Sequence, residues 1–113
     1  MQPEDEERLR HMLDASKEAM SFVERRTAAE LETDRQLALA LVKEIEIIGE
    51  AANRMSIEVK AKTPEIPWPI IVGMRHRLVH AYFQIDHSIL WHTVTENLPP
   101  LVTALEDILR NRR

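Results

Sequence analysis

"DRQLALALVKEIEIIGEAANRMSIEVKA", Asp34 to Ala61, decides the fold. Leu37, Ala38, Leu41, Val42, Ile45, Ile48, Gly49, Ala52, Met55, Ser56 and Val59 recur at three- and four-residue intervals. That is the period of a helix laid on a core. Glu44, Glu46 and Arg54 fall mostly off the stripe. Asp34 stands where a side chain can accept from the first free N–H groups. The pattern predicts one helix from Asp34 to Ala61, the longest in the chain. Gly49 inside it costs about 1 kcal/mol relative to Ala. With Ala52 it leaves a small-residue patch on which a neighbouring helix can lie closely.

On the N-terminal side, Leu9, Met12, Leu13, Ser16, Ala19, Met20 and Val23 form a second stripe, predicting a helix from Pro3 to Arg26. Acidic residues crowd its first turn and Arg25–Arg26 close it, as the helix dipole favours. On the C-terminal side, "TPEIPWP" predicts an extended connector, because a residue before proline avoids the α region. Pro69 suits the first position of a third helix, predicted to run to Phe83. Asp86 can cap a fourth, and Pro99–Pro100 is expected to separate a last helix reaching Arg110. No repeat or domain linker interrupts the chain. The expectation is an all-α, antiparallel bundle of four to five helices, with residues 1–113 as a single domain.

Composition narrows the classes further. Apolar residues make up 44% of the 113, enough for a core and too many for disorder. There is no cysteine, which excludes disulfides and thiolate metal sites and fits a reducing compartment. The N-terminus is charged, with no apolar run behind it, and "IPWPIIVGM" is too short to span a bilayer. A cytoplasmic location without membrane association is expected. The net charge of −4 divides unevenly. Residues 1–58 hold 14 acids and 8 bases, whereas residues 59–113 hold 5 acids and 7 bases together with four of the five histidines. An acidic chain can still bind a polyanion where its bases are gathered.

They gather in "GMRHRLVHAYF", Gly73 to Phe83. Arg75 is a permanent fork for phosphate oxygens. His80 can move a proton near neutral pH. Tyr82, the only tyrosine and expected to be half-buried, can accept a transferred group. His76 and Arg77 are supporting candidates beside them. The set suits RNA cleavage without a metal. A base takes the ribose 2′-OH proton, the oxygen attacks phosphorus, a cation stabilises the added charge and an acid protonates the leaving 5′-oxygen. His80 fills a proton-transfer role and Arg75 the charge-stabilising one. On one ideal helix the two would stand about 140° apart. A symmetric dimer would bring two copies of each to one cleft. The bland alternative is exposed bases on an amphipathic helix. A zinc site is disfavoured: His76 and His80 have ligand spacing and His87 and His92 follow, yet the Glu of His-Glu-x-x-His is missing and no third ligand stands out. Trp68 and Trp91 read as core anchors.

Arg75-x4-His80-x-Tyr82, the Gly-Glu-Ala of Gly49–Ala51 and the Ile-Pro-Trp of Ile66–Trp68, in this order, resemble the HepT group of HEPN-domain proteins. The resemblance implies an all-α HEPN bundle that forms a homodimer with its cleft between protomers. It further implies a metal-independent endoribonuclease, with no cofactor, acting as the toxin of a type VII-like HEPN/MNT toxin–antitoxin pair. Arg75 and His80 carry over as the catalytic pair and tRNA as the candidate substrate class. The implied partner is an MNT-type nucleotidyltransferase antitoxin that attaches AMP to Tyr82. The position after the arginine is often Asn in this group and is His76 here. An alternative reading is a non-catalytic nucleotide-binding subunit of a nucleotidyltransferase; another is a helical oligomerisation protein.

Overall fold

The long apolar stripe folds as two helices, not one. The computed structural model describes residues 1–81 and 84–111. In it, α3 spans Arg35–Asn53 and α4 spans Ile57–Lys62. Between them the chain turns extended at Ser56, with φ −64° and ψ 152°. Ser56 Oγ accepts from Val59 N at 3.2 Å, which caps α4. The same hydroxyl donates to Asp5 Oδ2 at 2.7 Å, and Ser56 N donates to Asp5 Oδ1 at 3.1 Å. Asp5 lies in the first turn of α1, Pro3–Phe22, and is only 3% exposed. A buried carboxylate from the N-terminus thus breaks the stripe where periodicity alone would continue it.

Asp34 caps α3, accepting from Leu37 N at 3.0 Å. Arg26 Nη2 reaches Asp34 Oδ2 at 2.6 Å and also pairs with Glu30. This arginine does not close α1. The helix stops at Phe22, Arg25 adopts φ 60°, and Arg26 instead ties the short α2, Glu30–Thr33, to the start of α3. α1 packs most extensively on α3, and then on α8, Leu98–Arg110. Leu9, Met12, Leu41, Ile45, Ile48 and Leu105 are sealed from solvent there. Each such side chain contributes roughly 1.5–3 kcal/mol of transfer free energy.

Pro99–Pro100 does not separate the last helix. α7, His87–His92, is capped by Asp86, which accepts from Ile89 N at 3.0 Å. It widens into a π turn over Thr93–Asn97 and continues directly into α8. The two prolines lack N–H groups and their rings would strike the carbonyls one turn back. A wider turn accommodates both without ending the helix.

The third predicted helix is shorter and segmented. α5 spans Trp68–Val72 and α6 spans Met74–Leu78. The chain then extends into β1, Val79–His80, which pairs antiparallel with β2, Gln84–Ile85. Val79 faces Ile85 and both are half-buried, so a cross-strand apolar pair replaces the helical continuation. Asp86 N donates to Leu78 O at 2.8 Å and closes the hairpin. Phe83, the predicted helix end, lies outside the described residues. The connector before α5 is turned rather than extended, since Ile66 N bonds Thr63 O at 3.1 Å. Trp68 is 5% exposed, and its Nε1 donates to Thr63 Oγ1 at 3.1 Å, which fixes it as a core anchor; Trp91 is half-buried against the core. A Cβ on Gly49 would stand 3.4 Å from Ile71 O and 3.6 Å from Val72 O. The small-residue patch is therefore where α5 lies on α3.

The fold is all-α, as expected, apart from this one two-stranded hairpin among the described residues. No helix among them is long and apolar enough to cross a membrane.

Glu44 differs from the sequence expectation. It falls off the apolar stripe in sequence, yet it is only 5% exposed. Burial, then a hydrogen bond and like-charge repulsion from Glu18 on α1, push its carboxyl up to about 7. Between the ordinary carboxyl value and that point the folded chain holds more protons than the unfolded one. Stability therefore falls as pH rises through this window. Glu44→Gln should lessen the drop in melting temperature between pH 5 and pH 8; an undiminished drop would contradict this account. Asp5→Ala leaves the Ser56 N–H and hydroxyl without their acceptor and should cost about 1–3 kcal/mol in a denaturant titration. A cost near zero would mean that the Asp5–Ser56 clamp does not hold α4.

Candidate functional site

The gathered bases occupy the α5–α6–β1 segment, and the helix-to-strand change inside it sets their directions. Met74 and Leu78 point into the core, one turn apart on α6. Arg75, the residue after Met74, is half-exposed. Its Nε donates to Glu46 Oε2 on α3 at 2.9 Å. Glu46 Oε1 also meets Lys43 Nζ at 3.1 Å. Lys43, and then Arg75, hold the Glu46 carboxyl below the ordinary carboxylate range, against the opposing pull of burial.

Arg75 and His76 open on one groove of about 390 Å³. Its far wall is α3, through Glu46, Gly49, Glu50 and Asn53. Arg77 departs from this pair. It lines a different groove, of about 410 Å³, with Ile70, Met74, Leu98 and Leu101. The three consecutive basic residues therefore divide between two faces of α6, as 100° per residue requires.

His80 lines neither groove. It sits on β1, exposed, with half-buried Val79 before it, so the strand alternation turns its ring toward solvent. This overturns the premise that Arg75 and His80 share a helix. The helix ends at Leu78, and the 140° separation of an ideal helix does not apply. For the same reason His76 and His80 are not one helical turn apart as metal ligands. No group of three or more His, Cys, Asp or Glu among the described residues is placed to hold a metal ion. His87 is half-buried in the first turn of α7 and His92 is exposed at its end. Tyr82 lies outside the described residues.

Glu46 is the site residue that sequence reasoning missed. Periodicity puts it off the apolar stripe of α3, and nothing in a charge pattern reveals a partner 29 positions away. The one legible hint was the small pair Gly49 and Ala52, which placed a neighbour close to this stretch of α3.

The family model described as "Ribonuclease HepT-like" matches residues 12–108. The chain belongs to the HepT-like ribonuclease family. Its relatives include the "Probable ribonuclease HepT" of Thermococcus cleftensis, 40% identical over 75 residues, which cover 66% of this chain and 68% of that one. A protein of Caldanaerobacter subterraneus subsp. tengcongensis named "Putative RNase TTE0752" is 36% identical over 80 residues, 71% of each chain. A Methanocaldococcus jannaschii protein named "Putative RNase MJ1380" is 31% identical over 95 residues, 84% of this chain and 87% of its own. No solved structure matches the chain. These relatives identify a HepT-family ribonuclease, and in every such match the similarity is to proteins named for acting on RNA.

Proposed function

We propose that this HepT-family ribonuclease cleaves RNA without a metal, using Arg75 and His80, and that it serves as the toxin of a toxin–antitoxin pair. The observation that carries the reading is that the Arg75-x4-His80 spacing falls on solvent-accessible side chains in a chain whose family match spans residues 12–108. In this mechanism an imidazole of His80 takes the proton from a ribose 2′-OH. The 2′-oxygen attacks the adjacent phosphorus, and the bond from phosphorus to the 5′-oxygen breaks. The Arg75 guanidinium faces the developing charge on the phosphoryl oxygens. A second proton donor must protonate the leaving oxygen, and the second His80 of a homodimer supplies it. His76, which shares the groove with Arg75, contacts the RNA backbone. Arg77 opens on another face, so its part is to attract the polyanion.

Neutralisation is assigned to the tyrosine of the same sequence motif. An MNT-type nucleotidyltransferase directs the Tyr82 phenol oxygen onto the α-phosphorus of ATP, with pyrophosphate leaving. The added AMP brings phosphate charge onto a residue two positions after His80 in the sequence, and that charge opposes RNA binding. tRNA is the substrate class proposed.

The test is cleavage of total tRNA by purified protein with a chelator present. Arg75→Ala and His80→Ala should each lower the rate by roughly 10²-fold or more. Mass spectrometry of the chain co-expressed with the nucleotidyltransferase should show AMP-sized additions on the Tyr82 peptide. Cleavage that appears only with added divalent cation, or that survives both substitutions, would overturn the proposal.

A further inference from the structure

Glu46 and Glu50 present a difficulty for a groove meant to receive phosphate. Both line the wall opposite Arg75 and His76, and a carboxylate there repels RNA. Glu46, however, is not an isolated charge. Its two oxygens are divided between two cations, Oε1 to Lys43 Nζ at 3.1 Å and Oε2 to Arg75 Nε at 2.9 Å. Lys43 stands one turn before Glu46 on the same helix, so it restrains the carboxylate from behind. The cluster of Lys43, Glu46 and Arg75 keeps one net positive charge.

We infer that Glu46 is a positioning residue for Arg75: clamped by Lys43, it fixes the guanidinium plane through Nε and so sets where the fork is presented in the groove. The inference rests on the reading of Arg75 as the charge stabiliser of RNA cleavage. The physical argument is one of preorganisation. An arginine side chain is long and has many rotamers, and a donor aimed in advance at developing charge needs no reorganisation during the reaction. α6 alone does not aim it, because this helix is only five residues long, Met74–Leu78, with Arg75 at its second position. α3 is the longer, more deeply packed element, and Glu46 is one turn from Gly49, where the α5 carbonyls rest on it. The ion pair thus references Arg75 to the rigid part of the fold. Lys43, and then Arg75, hold the carboxyl below its usual range, so the pairing persists while an imidazole titrates.

The experiment measures RNA cleavage by the purified full chain for the wild type, Glu46→Ala, Glu46→Gln, Arg75→Ala and the Glu46→Ala/Arg75→Ala double variant. A misplacement of about 1 Å can cost on the order of 10²-fold in rate. Glu46→Ala is therefore expected to lower kcat roughly tenfold or more, with KM nearly unchanged. Glu46→Gln keeps an oxygen that accepts from Nε and should retain more activity. The double variant should be no slower than Arg75→Ala, because Glu46 acts only through Arg75. Melting temperatures separate these effects from unfolding, and the near-isosteric Gln variant keeps the comparison decisive if the Ala variant fails to fold. An impaired Arg75→Ala beside a Glu46→Ala of wild-type or higher kcat overturns the inference alone. So does a double variant that loses both factors. Arg75→Ala at wild-type rate would remove the catalytic reading of Arg75, and this inference with it.

Discussion

The structure depends on how closely the backbone of α5 lies on α3. At Gly49 a methyl group would already touch the carbonyls of Ile71 and Val72. That contact lets the segment from Trp68 to Leu78 sink Trp68, Ile71, Met74 and Leu78 into the core laid down by α1, α3 and α8. A helix-interior glycine is tolerated because the packing it permits offsets its conformational entropy. Everything of functional interest is mounted on this seat. Arg75 follows a buried methionine, His80 stands next to Val79 on a strand whose apolar pair is Val79 and Ile85, and Glu46 reaches across from the same stretch of α3.

Much of this was legible in the sequence, and the failures have physical causes. The stripes on α1 and α3, the caps Asp34 and Asp86, the anchoring role of Trp68 and the close approach at Gly49 all follow from local chemistry and spacing. The break at Ser56 was hidden because its cause, Asp5, is 51 residues away and reads as one more surface acid. The hairpin was hidden because Met74 and Leu78 keep helical spacing up to the point where strand pairing takes over. The prolines of α8 misled in the opposite direction: they widen a helix that they were expected to end. Buried Glu44 shows the same limit, since an acid beside an apolar stripe gives no sign of which edge the neighbouring helix will cover.

The candidate site divides along similar lines. Its residue types and spacing were readable, but their directions were not. Three adjacent bases point to two grooves, and the histidine belongs to a strand. Arg75 is tied to α3 through Glu46, and the exposed His80 imidazole stands on a separate element. The acidic N-terminal half carries part of its charge in structural pairs. Four of its fourteen acids are committed to structure: Asp5 to Ser56, Asp34 and Glu30 to Arg26, and Glu46 to Lys43 and Arg75.

The most direct test of an amino-acid-only cleavage site is the chemistry of the ends it leaves. RNA cut by the purified chain in excess chelator should carry 2′,3′-cyclic phosphate on one fragment and a 5′-hydroxyl on the other, since the proposed reaction makes the ribose oxygen the nucleophile. Fragments ending in 3′-hydroxyl and 5′-phosphate would show that water attacked instead, and would contradict the roles given to Arg75 and His80.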